Sequence, residues 1–273
     1  MKIIGELINS SRDIIKNKIE EKDEKYLQKI AKKQEDAGAD YIDINSGEFI
    51  AKEEEKLCWL VKTVQKVIDV PLSLDTANPE ALKKALPLVD KKPIINSITA
   101  EKDRYDNILP LVKKYNTEVI VLCMDNRGIE DDIEIRYEIA QNLINNLKKE
   151  DISPENIFVD PILRPISINS SYGREILNLI EKLSNDFTEI NITCGLSNIS
   201  YGLPHRKLIN QAFLLMGMAG GLNSAILDPL DPYLMSLMKA GEVLLNQDQF
   251  AQNYIKAARS GELYDISQET EEV

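Results

Sequence analysis

PLSLDTANPEALKKAL, residues 71–86, holds the repeating unit of this chain in one line. A short apolar run, PLSLD (71–75), ends in a carboxylate, and Pro79 then opens a helical segment near 79–87. The same order recurs on both sides. Apolar, Ile- and Val-rich runs stand at KIIGE (2–6), DYIDIN (40–45), PIIN (93–96), EVIVLCM (118–124), NIFVD (156–160), EINIT (189–193) and SAILD (224–228). Amphipathic stretches near 23–38, 52–69, 103–115, 132–149, 172–185, 206–220 and 232–245 separate them, and a last helix is expected near 247–259. Strands this continuously apolar are buried on both faces, as a parallel sheet requires. About eight strand–helix units predict a (β/α)₈ TIM barrel. The main rival, a doubly wound open sheet, usually carries a glycine-rich phosphate turn after its first strand, and none is present.

Length and composition agree with that expectation. A chain of 273 residues with 43% hydrophobic residues suits one large domain. We expect a single barrel over residues 1–262 and an acidic, frayed tail over 263–273, ending ETEEV. The formal net charge of −12 argues against a nucleic-acid-binding face and against docking on an anionic membrane. Cys58, Cys123 and Cys194 are far apart and form no CxxC, and His205 is the only histidine, so a Cys/His zinc site has little support. The cysteines are expected to be reduced and buried. The N-terminus lacks a signal-peptide core and no apolar run approaches the roughly 20 residues of a membrane span, so a cytoplasmic protein is expected.

In a parallel barrel the βα-loops form one mouth at the C-terminal strand ends. Those ends supply Glu6 and Asn9, Asp43 and Asn45, Asp75, Asn96, Met124 to Asn126, Asp160, Ser197 and Asn198, and Asp228. Any one of them can cap a helix or close an Asx-turn, as Asp75 can before Pro79. A whole ring of carboxylates and carboxamides points instead to a shared site. With few Lys or Arg among them, the ring suits a neutral, donor-rich heterocycle such as a pterin better than a sugar phosphate.

Seven segments carry a resemblance. GELIN (5–9), GADYIDIN (38–45), LDTANPEALKKAL (74–86), PIINSITAE (93–101), DPILRP (160–165), GLSNIS (195–200) and RKLINQAFL (206–214) resemble the pterin-binding barrel of corrinoid-dependent methyltransferases. That family includes methyltetrahydrofolate:corrinoid/iron–sulfur protein methyltransferases and the folate domain of cobalamin-dependent methionine synthase. The resemblance spans roughly residues 1–260. It implies a methyltransferase that moves the N5 methyl group between methyltetrahydrofolate and the cobalt of a corrinoid protein, with tetrahydrofolate or 5-methyltetrahydrofolate as substrate. It also implies that Asp75, Asn96 and Asp160 hold the pterin and that Asn198 approaches N5, with Ser197 beside it. Glu6, Asn9 and Asp43 match residues lining the same mouth, and Arg206 matches an arginine within reach of the folate tail or a partner. Asn198 and Asp160 are the implied catalytic pair, since no histidine stands where an imidazole acid would be.

Relatives are homodimers, and the Met- and Leu-rich stretches 213–216 and 234–238 offer apolar surface for that. The chain has no D-x-H-x-x-G cobalamin motif, so the corrinoid is expected on a partner protein that meets the open mouth. Leu7 departs from the family, which often has arginine there, and Met124 to Asn126 lie where relatives vary. Dihydropteroate synthases share the barrel but usually have a TPDSF-like first loop and a late Lys and S-x-R pair for phosphate. Here the first loop reads INSSRD and the seventh strand leads into GLSNIS. Pteroate synthesis is the second reading, and a non-catalytic folate-binding protein the third.

Overall fold

The computed structural model describes residues 1–264. Each of the eight apolar runs contains a strand: β1 (Lys2–Asn9), β2 (Tyr41–Asn45), β3 (Leu72–Asp75), β4 (Ile94–Ile98), β5 (Glu118–Leu122), β6 (Ile157–Asp160), β7 (Asn191–Ile192) and β8 (Ser224–Leu227). They pair in parallel, in the order β7-β6-β5-β4-β3-β2-β1-β8. Ile226 N donates to Cys194 O at 2.8 Å, and Gly195 bridges Ile226, which joins β7 to β8 and closes the barrel.

Ten helices surround the strands among the described residues: α1 (Asp13–Glu20), α2 (Glu24–Asp36), α3 (Glu53–Val64), α4 (Pro79–Ala85), α5 (Lys102–Tyr115), α6 (Ile133–Lys149), α7 (Tyr172–Asp186), α8 (Arg206–Ala219), α9 (Pro232–Leu244) and α10 (Gln252–Ser260). The sequence pattern missed α1. It is eight residues long, and only Ile15 and Ile19 are buried on it, too short a stripe to register as a period. α3 ends five residues before the expected limit, because the chain must turn back to β3. The Val70 N–H is held in that return by Glu35 Oε1 at 3.0 Å. β7 is only two residues long: Thr193 N still donates to Val159 O of β6 at 2.9 Å, but Cys194 O already accepts across the closing seam. The segment expected as one last helix begins as a short turn at 249–251. Cys123 and Cys194 are buried as expected, but Cys58 is only half-buried.

Successive residues of a strand point to opposite faces, so every second one enters the barrel. The lower interior is filled by Ile4, Tyr41, Ile94, Ile120 and Phe158, all buried. The Tyr41 ring meets Phe158 edge-on, at 6.3 Å and 82°. The Lys2 ammonium lies 4.7 Å from the Phe158 ring centroid and covers the lower end. Full burial of a side chain such as Phe158 contributes about 2–3 kcal/mol. Two residues further along these strands, the inward positions become Glu6, Asp43, Asn96 and Asp160. One alternation therefore builds an apolar floor and places a polar layer on top of it.

At the other end of the chain, Tyr264 packs its ring on Tyr233, with centroids 3.7 Å apart, and its N–H donates to Ser236 Oγ at 2.8 Å. The first residues of the expected tail are thus held against α9, and residues 265–273 lie outside the described residues.

Candidate active site

Above the apolar floor a cavity of about 790 Å³ opens at the C-terminal ends of the strands. Glu6, Asn9, Asp43, Asp75, Asn96, Asp160, Ser197, Asn198 and Arg206 all line it. Asn45, Met124 to Asn126 and Asp228, the other members of the ring, do not. Asn45 stands behind Asp75, to which it donates from Nδ2 at 2.9 Å. Asp125 is turned to Arg127, at 2.8 Å, in a side pocket of the β5 loop that also takes Asn126. Asp228 closes a local turn by accepting from Leu230 N at 2.9 Å.

The deep layer is a carboxylate cluster held by neutral donors. Ser73 Oγ donates to Asp43 Oδ1 at 2.6 Å, and Asn96 Nδ2 reaches the same oxygen at 3.3 Å. Burial, with the charge of Asp75 beside it, pushes the Asp43 carboxyl well above its ordinary range. Burial likewise raises Asp75 to about 6, against the pull of the Asn45 hydrogen bond and the Arg104 charge. Asp75 does not cap α4. Asn78 does, accepting from Glu80 N at 3.0 Å, which leaves Asp75 free to face the cavity.

Asp160 is 7% exposed, and burial raises it to about 6. Its Oδ1 accepts from Ile162 N at 2.7 Å. Ile162 has a φ of +62°, a strained value for a β-branched residue. Arg136 of α6, itself buried, donates to the Ile162 carbonyl from the other side. The loop that aims Asp160 is therefore clamped at one residue from both sides. The Arg136 charge also lowers Asp160, but burial outweighs it.

The rim is different in character. Arg12 Nη2 donates to Glu6 Oε1 at 2.7 Å, and Ser197 Oγ donates to the same oxygen at 2.9 Å. Arg206 Nη2 donates to Ser197 O at 2.5 Å and its Nε to Ser200 Oγ at 3.1 Å. Burial raises the Glu6 carboxyl despite Arg12 and Ser197. Asn198, at the end of a short turn over residues 196–198, is exposed at the opening. A Cβ at Gly195 would stand 2.9 Å from Asn198 Nδ2, so a larger residue there would displace the amide from this position.

Sequence reasoning missed Arg12, Ser11, Gly195, Tyr201 and Ile226, which complete the lining. Arg12 and Arg206 are the two cations of the mouth, Arg206 expected there and Arg12 not. Arg12 was hidden because it sits past the strand end, in a turn whose direction no local pattern gives. Leu7 faces a groove with Ile14, Ile15, Tyr26 and Ile30, outside the cavity. His205 heads α8 and does not line the cavity. Among the described residues, no group of three or more His, Cys, Asp or Glu side chains is placed to hold a metal ion. No helix there is long and apolar enough to cross a membrane.

A closed parallel barrel with a cavity lined by carboxylates and carboxamides above an apolar floor defines a (β/α)₈ class with a polar, acceptor-rich mouth. Comparison with known proteins gives that class its family. The chain belongs to the pterin binding enzymes, whose family pattern it matches over residues 5–228. It is 36% identical over 265 residues to methylcorrinoid:tetrahydrofolate methyltransferase of Eubacterium limosum, covering 96% of this chain and 98% of that one. It is 27% identical over 209 residues to methionine synthase of Mycobacterium leprae (strain TN), covering 72% of this chain and 17% of that much longer one. Among solved structures, dihydropteroate synthase from Xanthomonas albilineans in complex with 7,8-dihydropteroate superposes with a TM-score of 0.68. It is 16% identical over 91% of this chain and 94% of that one. The Yersinia pestis dihydropteroate synthase gives 0.62 at the same identity, over 90% and 92%. At that identity these two likenesses speak for the fold.

Proposed function

We propose that this protein is a methyltransferase that moves a methyl group between N5 of tetrahydrofolate and the cobalt of a corrinoid carried by a partner protein. The observation that carries the proposal is the two-part cavity: a floor of polar groups at Asp43, Asp75, Asn96 and Asp160, the first and last of them buried, with a neutral carboxamide, Asn198, at the opening. The 36% identity to methylcorrinoid:tetrahydrofolate methyltransferase, over nearly the full length of both chains, supports the same reading. Pteroate synthesis fits less well. Its diphosphate leaving group calls for free cations in the mouth. No lysine lines the cavity, and the two arginines there are bonded to Glu6 and to Ser197 and Ser200.

In this reading the pterin lies flat on the floor. Its amino group and ring N–H groups donate to Asp75 and Asp160, and Asn96 donates to its acceptors. These contacts fix the ring so that N5 points to the opening, under Asn198. Toward tetrahydrofolate, the direction in which the E. limosum relative is named, the N5 lone pair bonds to the methyl carbon. The cobalt–carbon bond breaks with both electrons left on cobalt. The N5 proton then leaves, and the Asn198 amide holds N5 through that loss while Asp160, titrating near 6, takes the proton through water. In the opposite direction the same groups return a proton to N5, which makes the amine a better leaving group. We further place the protein in the cytoplasm as a homodimer built from one domain over residues 1–262.

The test is to mix the protein anaerobically with tetrahydrofolate and methylcobalamin, and separately with 5-methyltetrahydrofolate and Co(I)-cobalamin, and to follow the Co(I) absorbance. Protein-dependent change in both mixtures is the expected result. No change in either mixture, with condensation of dihydropterin diphosphate and p-aminobenzoate by the same sample, overturns the reading in favour of pteroate synthesis.

A further inference from the structure

Arg104 belongs to the frame of the cavity and not to its lining. It stands in the first turn of α5, and its guanidinium reaches back behind the ends of β3 and β4. Nε donates to Ser97 O at 3.1 Å. Nη2 donates to the same carbonyl at 3.0 Å, to Ser97 Oγ at 3.2 Å and to Thr76 O at 3.5 Å. Each partner is the next residue after a floor group: Thr76 follows Asp75, and Ser97 follows Asn96. Asp75 and Asn96 stand opposite each other in the β3–β4 ladder, which Thr76 N extends by donating to Asn96 O at 3.0 Å. Thr76 and Ser97 are both buried, so their carbonyls need partners within the protein. On the far side of the loop, Thr76 Oγ1 donates to Glu53 Oε1, a buried acidic residue at the start of α3. The needs of α5 itself do not account for Arg104, since a cation in the first turn faces the positive end of the helix dipole.

We infer that Arg104 is a positioning residue for the reaction: it ties the loops after β3 and β4 together, so that Asp75 and Asn96 meet the pterin as one fixed pair. The inference rests on the folate reading above and adds a residue that acts on the substrate only through those two. The planar fork suits this task, because its Nε–H and Nη2–H point the same way and engage one carbonyl together. A lysine in this place would carry the charge without the fork. The charge has an effect of its own. Asp75 is surrounded by Asp43 and Asn45 of β2, Asn96 of β4, Glu53 of α3 and Arg104 of α5. Burial and the charge of Asp75 push Asp43 well up, so Asp75 is the member of that pair that ionises first. Burial raises Asp75 to about 6, the Asn45 hydrogen bond and the Arg104 charge draw it down, and Glu53 pushes it further up. Removing the Arg104 charge therefore lets Asp75 keep its proton to higher pH, and removing the Glu53 charge does the reverse.

The experiment measures the dissociation constant of tetrahydrofolate by anaerobic calorimetry from pH 5 to 8, with urea unfolding alongside. Wild type, Arg104→Met, Arg104→Lys and Glu53→Gln are compared. Arg104→Met is expected to bind about tenfold more weakly at pH 7.5, and to move the acid limb of the binding profile up by about one pH unit. Arg104→Lys should keep the limb near its wild-type position and still bind about threefold more weakly, because it restores the charge and not the fork. Glu53→Gln can still accept from Thr76, and it should move the limb down, which identifies the limb as that of Asp75. The inference is overturned if Arg104→Met loses stability but keeps the wild-type affinity and limb, since the guanidinium would then be a structural tie alone. It is also overturned if Arg104→Lys binds as tightly as wild type, or if neither Arg104→Met nor Glu53→Gln moves the limb. Should Arg104→Met fail to fold, the affinity of Arg104→Lys decides the matter. Wild type that binds no tetrahydrofolate sinks the folate reading, and this inference with it, before any variant is made.

Discussion

Asp160→Asn separates what the buried carboxyl does for the substrate from what it does to the fold. Burial raises this group from 3.8 to about 6. Between those values the folded protein holds a proton that the unfolded chain has already lost. Stability must therefore fall as the pH rises through this window, and the full cost is present above about pH 6. Two pH units at 1.36 kcal/mol each make that cost about 3 kcal/mol. Asparagine has nearly the same shape and carries no charge. Its carbonyl can still accept from Ile162 N, but the backbone bond that Asp160 takes from Gly195 is lost, at about 1 kcal/mol. The variant should thus be about 2 kcal/mol more stable than wild type at pH 7.5, and about equal or slightly less stable at pH 4. Urea unfolding of both proteins from pH 4 to 7.5 tests this, since titration of all other groups cancels in the difference. The stabilised variant should also bind tetrahydrofolate more weakly. A difference in stability that does not change with pH, or a variant less stable than wild type at pH 7.5, would refute the reasoning.

Three further substitutions probe the rest of the site. Asn198→Ala should lower turnover by about 10²–10³-fold with a much smaller rise in KM, because one well-placed hydrogen bond contributes about 2.7–4 kcal/mol to a transition state. Steady-state kinetics decide the matter, and equal effects on both constants would make Asn198 an ordinary binding residue. Gly195→Ala puts a methyl 2.9 Å from the Asn198 amide and should slow turnover at least tenfold while moving the melting temperature only a few degrees; an unchanged kcat would mean that the amide position is not needed. Arg136→Met removes the buried clamp on the Ile162 carbonyl and should cost about 1–3 kcal/mol in urea unfolding, because that carbonyl loses its donor, and the acid limb of the pH–rate profile should move up as Asp160 loses a nearby positive charge. A profile that stays in place would restrict Arg136 to a purely structural role.

The strands and the deep site were legible from the sequence for one reason. A strand end in a parallel barrel has its direction fixed by alternation, so Asp43 after Tyr41, or Asp160 after Phe158, must enter the interior. The same rule fails as soon as the chain leaves the strand. Asp125, Asn126 and Asp228 follow strands just as closely, yet their loops carry them to a side pocket and a local turn. Arg12 shows the converse. Three residues past β1, its place depends on a turn closed by Asn9 Oδ1 accepting from Ser11 N at 2.9 Å, and on the unforeseen helix α1 beyond it. Asp75 was ambiguous because a strand-end Asp before Pro79 can cap the helix that follows. Only the three-dimensional course of the loop assigns the cap to Asn78.

The floor made by Ile4, Tyr41, Ile94, Ile120 and Phe158, covered below by Lys2, gives the barrel a single doorway. Two reactants that share one doorway cannot come and go at random. The one that sits deeper must arrive first and depart last, and the bulky one that rests across the threshold locks it in. For a folate below and a corrinoid protein above, turnover is paced by the visitor at the door. Saturating corrinoid protein should then slow the escape of product folate, so the traffic of the reaction, and not only its chemistry, is written into a layer of side chains that the substrates never touch.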